Sequence, residues 1–160
     1  MFAIDNQNIK NMKKIAPLLF LTLLLFSLNS AFAQLRKIPA EVTNSFSEKY
    51  PGATSVEWKD KLTGFTANFS FKDTHYLATF SNKGAWESTE QKINESDLPD
   101  EVKNGFEKSK YADWDVKDVH RIELPGDQIQ YRLEVGSGDI KRRNLSFSNE
   151  GRLLKDNLTI

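Results

Sequence analysis

The chain repeats itself. Ile38-Pro39, Val42 and Phe46 return as Leu98-Pro99, Val102 and Phe106, at a spacing of 60 residues. Phe80-Ser81-Asn82-Lys83-Gly84 returns as Phe147-Ser148-Asn149-Glu150-Gly151, at a spacing of 67. A period of this length marks one supersecondary unit used twice, and it limits the fold more tightly than local propensity does. The two units are expected over about 38–93 and 98–158. The difference between the spacings places the extra residues of the second unit between its helix and its third strand, in the region from Trp114 to Gln130.

The first 33 residues read as a leader. Lys13 and Lys14 form a short basic region, Ile15 to Leu28 is almost wholly apolar, and Ala31-Phe32-Ala33 offers small residues at a cleavage site. This layout predicts a secretory signal peptide cut between Ala33 and Gln34. The apolar run of 14 residues is shorter than the ~20 that span a bilayer. The layout also allows a translation start at Met12. The mature chain, 34–160, is then one domain's worth of sequence. It contains no Cys, so neither a disulfide nor a lipid-accepting thiol is available, and an exported chain of this kind relies on packing. A periplasmic or secreted protein is expected, with no membrane insertion after leader removal. Without Lys10, Lys13, Lys14 and Asp5 the chain keeps 19 basic and 21 acidic residues. That balance gives no electrostatic reason to bind nucleic acid.

Within each unit the apolar period changes from about four to two. Pro39 to Tyr50 predicts a helix with Val42, Phe46 and Tyr50 on one stripe, ended by Pro51-Gly52. Its copy is expected from Pro99 to about Lys110, with Asp97 capping its start and Gly105 weakening it slightly. Alternating segments then predict strands. They are Thr54–Lys59, Gly64–Phe71, His75–Phe80 and Ala85–Lys92, then Val116–Leu124, Ile129–Val135, Lys141–Phe147 and Arg152–Leu158. Asn82-Lys83-Gly84 and Asn149-Glu150-Gly151 fit three-residue hairpins with Gly in the left-handed position. The fold class is therefore α+β. Each unit is one helix plus about four antiparallel strands, and the units join into one sheet with two helices on one face and the other face open.

The leader, Ile-Pro-x-x-Val-x-x-x-Phe from Ile38, Tyr50-Pro51-Gly52-Ala53, Val56-Glu57-Trp58, the Phe-rich strands and Phe80 to Trp86 together resemble the PepSY-like proteins. The resemblance covers Ile38 to Asp156. It implies a small exported protein of a kind abundant in Bacteroidetes, with a fold related to beta-lactamase inhibitor protein. It implies no catalytic residues, and it suggests an open sheet that grips a partner protein.

The residues themselves offer few chemical constellations. His75 and His120 stand in no metal spacing and read as solvated or edge-of-core side chains. Asp113, Asp115 and Asp118 lack the Gly and Glu that a calcium loop of the EF-hand kind requires. Neither a Gly-x-Ser-x-Gly elbow nor a Gly-rich phosphate loop occurs. No cofactor, metal or catalytic residue is expected. Trp58 and Trp86 fall in phase with core residues, whereas Trp114 between Asp113 and Asp115 is expected to be partly exposed. Arg142 is expected to share the open face with Asn144 and Ser146, beside Arg132 on the next strand, as a small basic spot for an acidic partner. The binding candidates are therefore Arg132, Arg142, Asn144 and Trp114. The leading expectation is a non-enzymatic binding module that takes a protein or peptide through its open face or hairpin tips. Such a module should show an exposed apolar or aromatic patch there. The alternative is a small-ligand or cell-envelope carrier with an apolar pocket between helices and sheet.

Overall fold

The protein is described by a computed structural model, which covers residues 36–138 and 141–159. The expected leader over 1–33 lies outside the described residues. Helix α1 spans Ala40–Lys49, with Glu41 in its first turn and Lys49 in its last, both favourable to the helix dipole. Four strands follow: β1 (Thr54–Lys61), β2 (Gly64–Phe71), β3 (Thr74–Ser81) and β4 (Trp86–Ile93). A 3-10 turn over Glu95–Asp97 leads into helix α2 (Asp100–Glu107). Strands β5 (Asp115–Leu124), β6 (Gln128–Ser137), β7 (Lys141–Ser148) and β8 (Leu153–Leu158) complete the chain. All eight lie in one antiparallel sheet in sequence order, joined at β4–β5.

Turn chemistry sets the hairpins. Lys72 and Asp73 both take positive φ, 50° and 62°, as a two-residue β2–β3 turn requires. Gly84 and Gly151 sit at φ 80° and 77° in the two three-residue turns. These turns also touch the helices. A Cβ on Gly84 would lie 2.6 Å from the carbonyl oxygen of Glu41, and one on Gly151 would lie 2.6 Å from the carbonyl carbon of Glu101. Both turns thus need glycine for space as well as for φ.

The helices cover the same sheet face. Val42, Phe46 and Tyr50 pack with Phe65, Ala67, Phe69, Ala78 and Phe80. Leu98 and Val102 pack with Val119, Tyr131, Leu133, Leu145 and Phe147. The register carries this face across the junction, through Ala67 opposite Ala78, Ala78 opposite Thr89, and Thr89 opposite Glu123. The first core is aromatic: the Phe46 ring meets Phe69 edge-on at 4.9 Å and Trp58 at 5.2 Å.

Helix α2 differs from the expectation in two ways. It ends at Glu107, not near Lys110, and a turn over Ser109–Trp114 follows. That turn buries Tyr111, whereas Lys110, the counterpart of the core residue Tyr50, stays exposed. Asp97 does not cap α2. Its carboxylate accepts from the Asn94 backbone N–H at 3.3 Å and from Asn94 Nδ2 at 3.0 Å, closing the 3-10 turn instead.

The sheet edges differ. β1 is irregular between Thr54 and Glu57, with Ser55 at φ 53°, and it carries Glu57, Lys59, Asp60 and Lys61. Bulges and charges of this kind discourage further strand pairing. β8 leaves Leu153, Leu154 and Leu158 exposed.

Candidate functional site

Neither helix covers the second face of the sheet. Alternation along the strands places Glu90 and Lys92 of β4 there, with Asp118, His120 and Ile122 of β5. Arg132 and Glu134 of β6 join them, with Arg142, Asn144 and Ser146 of β7. The register sets Lys92 opposite His120, His120 opposite Arg132, and Arg132 opposite Ser146. Glu134 stands between Asp118 and Asn144.

These side chains form a paired ionic array across four strands. The Arg132 guanidinium reaches over β5 and grips Glu90 with two parallel bonds, Nη1 to Oε1 at 3.0 Å and Nη2 to Oε2 at 2.5 Å. Fork geometry of this kind is among the stronger and more directional ion pairs. Glu90 keeps only 18% of its side-chain surface exposed. Arg142 Nη1 donates to Glu134 Oε1 at 2.9 Å, and Lys92 pairs with Asp118. His120 lies between these pairs, its Nδ1 4.0 Å from Glu90 Oε2. Burial pushes its pKa below the ordinary histidine value; Arg132 adds to this, and Glu90 and Asp118 oppose it. Lys92 holds the Asp118 carboxyl below the usual range through their hydrogen bond.

The array differs from the expected basic spot. Arg132, Arg142 and Asn144 do share one face, but both arginines are matched by carboxylates. The open face also lacks the expected exposed apolar patch among the described residues. Leu77 and Ile122 are half-buried there, and the large exposed apolar side chains lie elsewhere. Leu62, at the β1–β2 hairpin tip, is 97% exposed. Trp114 is also apart from the array. It is half-buried, packs edge-on against Tyr111 at 5.0 Å, and borders the second core.

Alternation can predict the face of Glu90, His120 and Glu134, but not their partners. The grip of Arg132 on Glu90 depends on the β4–β5 and β5–β6 registers together. The Asp113, Asp115 and Asp118 side chains do not converge: Asp115 pairs with Lys117 at 3.0 Å and Asp118 with Lys92. Among the described residues no group of three or more potential metal ligands comes together. No helix among them is long and apolar enough to cross a membrane.

On the helix side, the junction of the two halves holds a cleft of about 270 Å³. Its walls include Lys49, Trp86, Arg121, Glu123 and Ile129. Lys49 Nζ stands 3.6 Å from the centre of the Trp86 ring, and Arg121 pairs with Glu123. The expected carrier pocket belongs in this place, but these walls are charged and mixed in character.

Comparison with known proteins agrees with this architecture. The family model described as "Putative beta-lactamase-inhibitor-like, PepSY-like" matches residues 64–155. The structure of a DUF2874 family protein from Bacteroides ovatus ATCC 8483 is 28% identical and superposes with a TM-score of 0.69. That match covers 75% of this chain and 86% of that one. A BLIP-like protein from Bacteroides fragilis NCTC 9343 is 25% identical with a TM-score of 0.67, covering 82% of this chain and 91% of the other. A protein from Bacteroides eggerthii DSM 20697, called one of the "putative periplasmic proteins", shares the fold at 20% identity and a TM-score of 0.68, covering 75% and 88%. No curated protein matches the chain. With one eight-stranded antiparallel sheet and two helices among its described residues, and a family model spanning more than half of its length, the chain belongs to the PepSY-like, beta-lactamase-inhibitor-like family.

Proposed function

We propose that the chain is an exported, non-enzymatic binding module that takes a protein or peptide partner on the open face of its sheet. The observation that carries this reading is the array of Glu90, His120, Arg132, Glu134 and Arg142 on the face that neither described helix covers. The exposed apolar patch expected of such a module is absent from that face among the described residues, so the reading rests on polar recognition alone: a pre-paired surface on a sheet loses little freedom when a partner arrives. Its alternating charges favour recognition by register and complementarity over gross attraction. Both Glu90 oxygens are already engaged by Arg132, which suits a structural acceptor better than a base awaiting a proton. The BLIP-like relative and the leader expected at 1–33 support an exported partner binder. The "putative periplasmic" relative supports the periplasm as its place.

The same reading treats 34–160 as one domain built by duplication. The matched close approaches of Gly84 to Glu41 and Gly151 to Glu101 support it, because one packing solution is used in each half. The carrier alternative ranks second. Its natural site, the junction cleft, has an ion pair and a stacked lysine in its walls, where an apolar ligand would need apolar enclosure.

The test is affinity capture from the native cell envelope with the mature protein as bait. A swapped pair, Glu134→Arg with Arg142→Glu, keeps net charge and pairing but inverts the local field. A partner held by the wild type should be lost by the swapped variant and kept by Glu107→Lys, a helix-side control. Capture of no partner, or of the same partner by all three baits, refutes the open-face reading.

A further inference from the structure

A second site lies away from the centre of the open face, where β7, β8 and the turn after α2 meet. A hollow of about 520 Å³ opens there, walled by Lys110, Trp114, Lys141, Arg142, Arg143 and Leu158. We infer that this hollow binds an organic carboxylate carried on an apolar group.

The charge of the hollow is unevenly satisfied. Lys110 and Arg143 share a single carboxylate, Asp156, at 3.2 Å and 2.6 Å. Arg142 has Glu134. Lys141 has no carboxylate partner among the described residues. Among the described residues, four cations therefore face two acids. The bonds from Arg142 and Arg143 to these acids each use one guanidinium nitrogen, Nη1. A guanidinium carries five N–H donors, so both arginines keep donors for an incoming anion. Thr159 adds a buried hydroxyl, Oγ1, without a hydrogen-bond partner, and it too lines the hollow. Buried polar atoms are normally paired, and a carboxylate oxygen would complete this one.

The remaining wall is apolar. Trp114 is half-buried with its ring against Tyr111, and Leu158 is 69% exposed. An inorganic anion would leave that wall wet, whereas an aliphatic or aromatic group next to the carboxylate would cover it. The first half of the chain provides an internal contrast. Thr74, His75, Gln91 and Lys92, each 67 residues before Lys141, Arg142, Leu158 and Thr159, line a hollow of about 530 Å³. Asp73 and Asp97 also border that earlier hollow. The same place in the unit thus mixes acids and amides with His75 and Lys92 in one half, and holds cations with an exposed leucine in the other.

Two sources share the required chemistry: a free apolar acid, and the C-terminus of a peptide ending in an apolar residue. The test is an amide and indole NMR titration of the 15N-labelled chain with four probes. These are 3-phenylpropionate, a short Gly-Ser peptide ending in Phe with a free carboxylate, the same peptide as its C-terminal amide, and inorganic phosphate. Shifts at the Trp114 indole and along Lys141–Arg143 with either carboxylate probe support the site, and the stronger probe identifies the source. Lys141→Glu and Leu158→Ser, both at exposed positions, should each weaken that binding about tenfold or more, and Lys83→Glu should leave it unchanged. Absence of shifts with both carboxylates overturns the inference. So does equal binding of the amide peptide or of phosphate, or full binding by Lys141→Glu.

Discussion

Gly105→Ala should destabilise the protein even though local propensity favours the change. Alanine in a helix interior gains about 1 kcal/mol over glycine. Gly105, however, lies against the β7–β8 turn. A Cβ there would stand 2.8 Å from the carbonyl carbon of Gly151 and 3.1 Å from its Cα, with the carbonyl oxygen nearer still. Ordinary carbon contacts lie at about 3.5–4.0 Å, so α2 and the turn must part by roughly 0.5–1 Å. The turn has little room to yield, because Gly151 itself sits against the Glu101 backbone at φ 77°. Separation lifts Val102 and Phe106 from the second core. Overpacking of this kind costs about 1–3 kcal/mol, occasionally more, and helix propensity returns about 1. Because the added Cβ meets backbone and not a flexible side chain, the upper half of that range, about 2–3 kcal/mol, applies, and the net loss of about 1–2 kcal/mol lowers the melting temperature by roughly 3–8 °C for a domain of this size. Thermal unfolding followed by circular dichroism reads this directly. Asn104→Ala, one residue earlier and exposed, should raise the midpoint slightly. A Gly105→Ala variant melting with or above the wild type would refute the close-packing argument.

Three further outcomes are expected. Tyr50→Phe removes the buried hydroxyl bridge from Tyr50 to Thr89, which also accepts from Trp86 Nε1 at 2.8 Å; urea unfolding should show a loss of about 1 kcal/mol, with Thr89→Val losing more. Asp156, held to a pKa of about 2 chiefly by the Tyr111 hydroxyl and further by Arg143 and Lys110, contributes stability above the ordinary carboxylate pKa of about 3.9. That contribution disappears as pH falls through about 2, so the stability gap between wild type and Asp156→Asn should close over that window; a constant gap would contradict the assignment. His120 should titrate below the ordinary histidine range in NMR, with Arg132→Gln moving it up and Glu90→Gln moving it further down. Because its folded pKa is the lower one, its effect on stability appears only as pH drops below about 6.5.

The strand pattern was readable from the sequence because alternation and turn chemistry are local. Gly64–Phe71 matches β2 at both ends, and the glycines at 84 and 151 mark their turns through φ. What depended on distance was not readable. Gly105 looked like a weak helix residue because its partner, Gly151, lies 46 positions away in the chain. Tyr111 falls out of phase with the Val102–Phe106 stripe, and only the early end of α2 turns it inward to meet Asp156 at 2.6 Å. Arg132 and Arg142 read as a basic spot because their acids come from other strands. Glu90 reaches Arg132 across β5, which requires two registers that no single segment specifies.

Lysine cross-linking of the partner captured from the envelope distinguishes the two faces of the sheet. Lys92 and Lys155 lie on the open-face positions of β4 and β8, whereas Lys103 and Lys108 belong to α2 and its end. If the open face holds the partner, links form from Lys92 and Lys155. Links confined to Lys103 and Lys108 would place the partner on the helices and contradict the account.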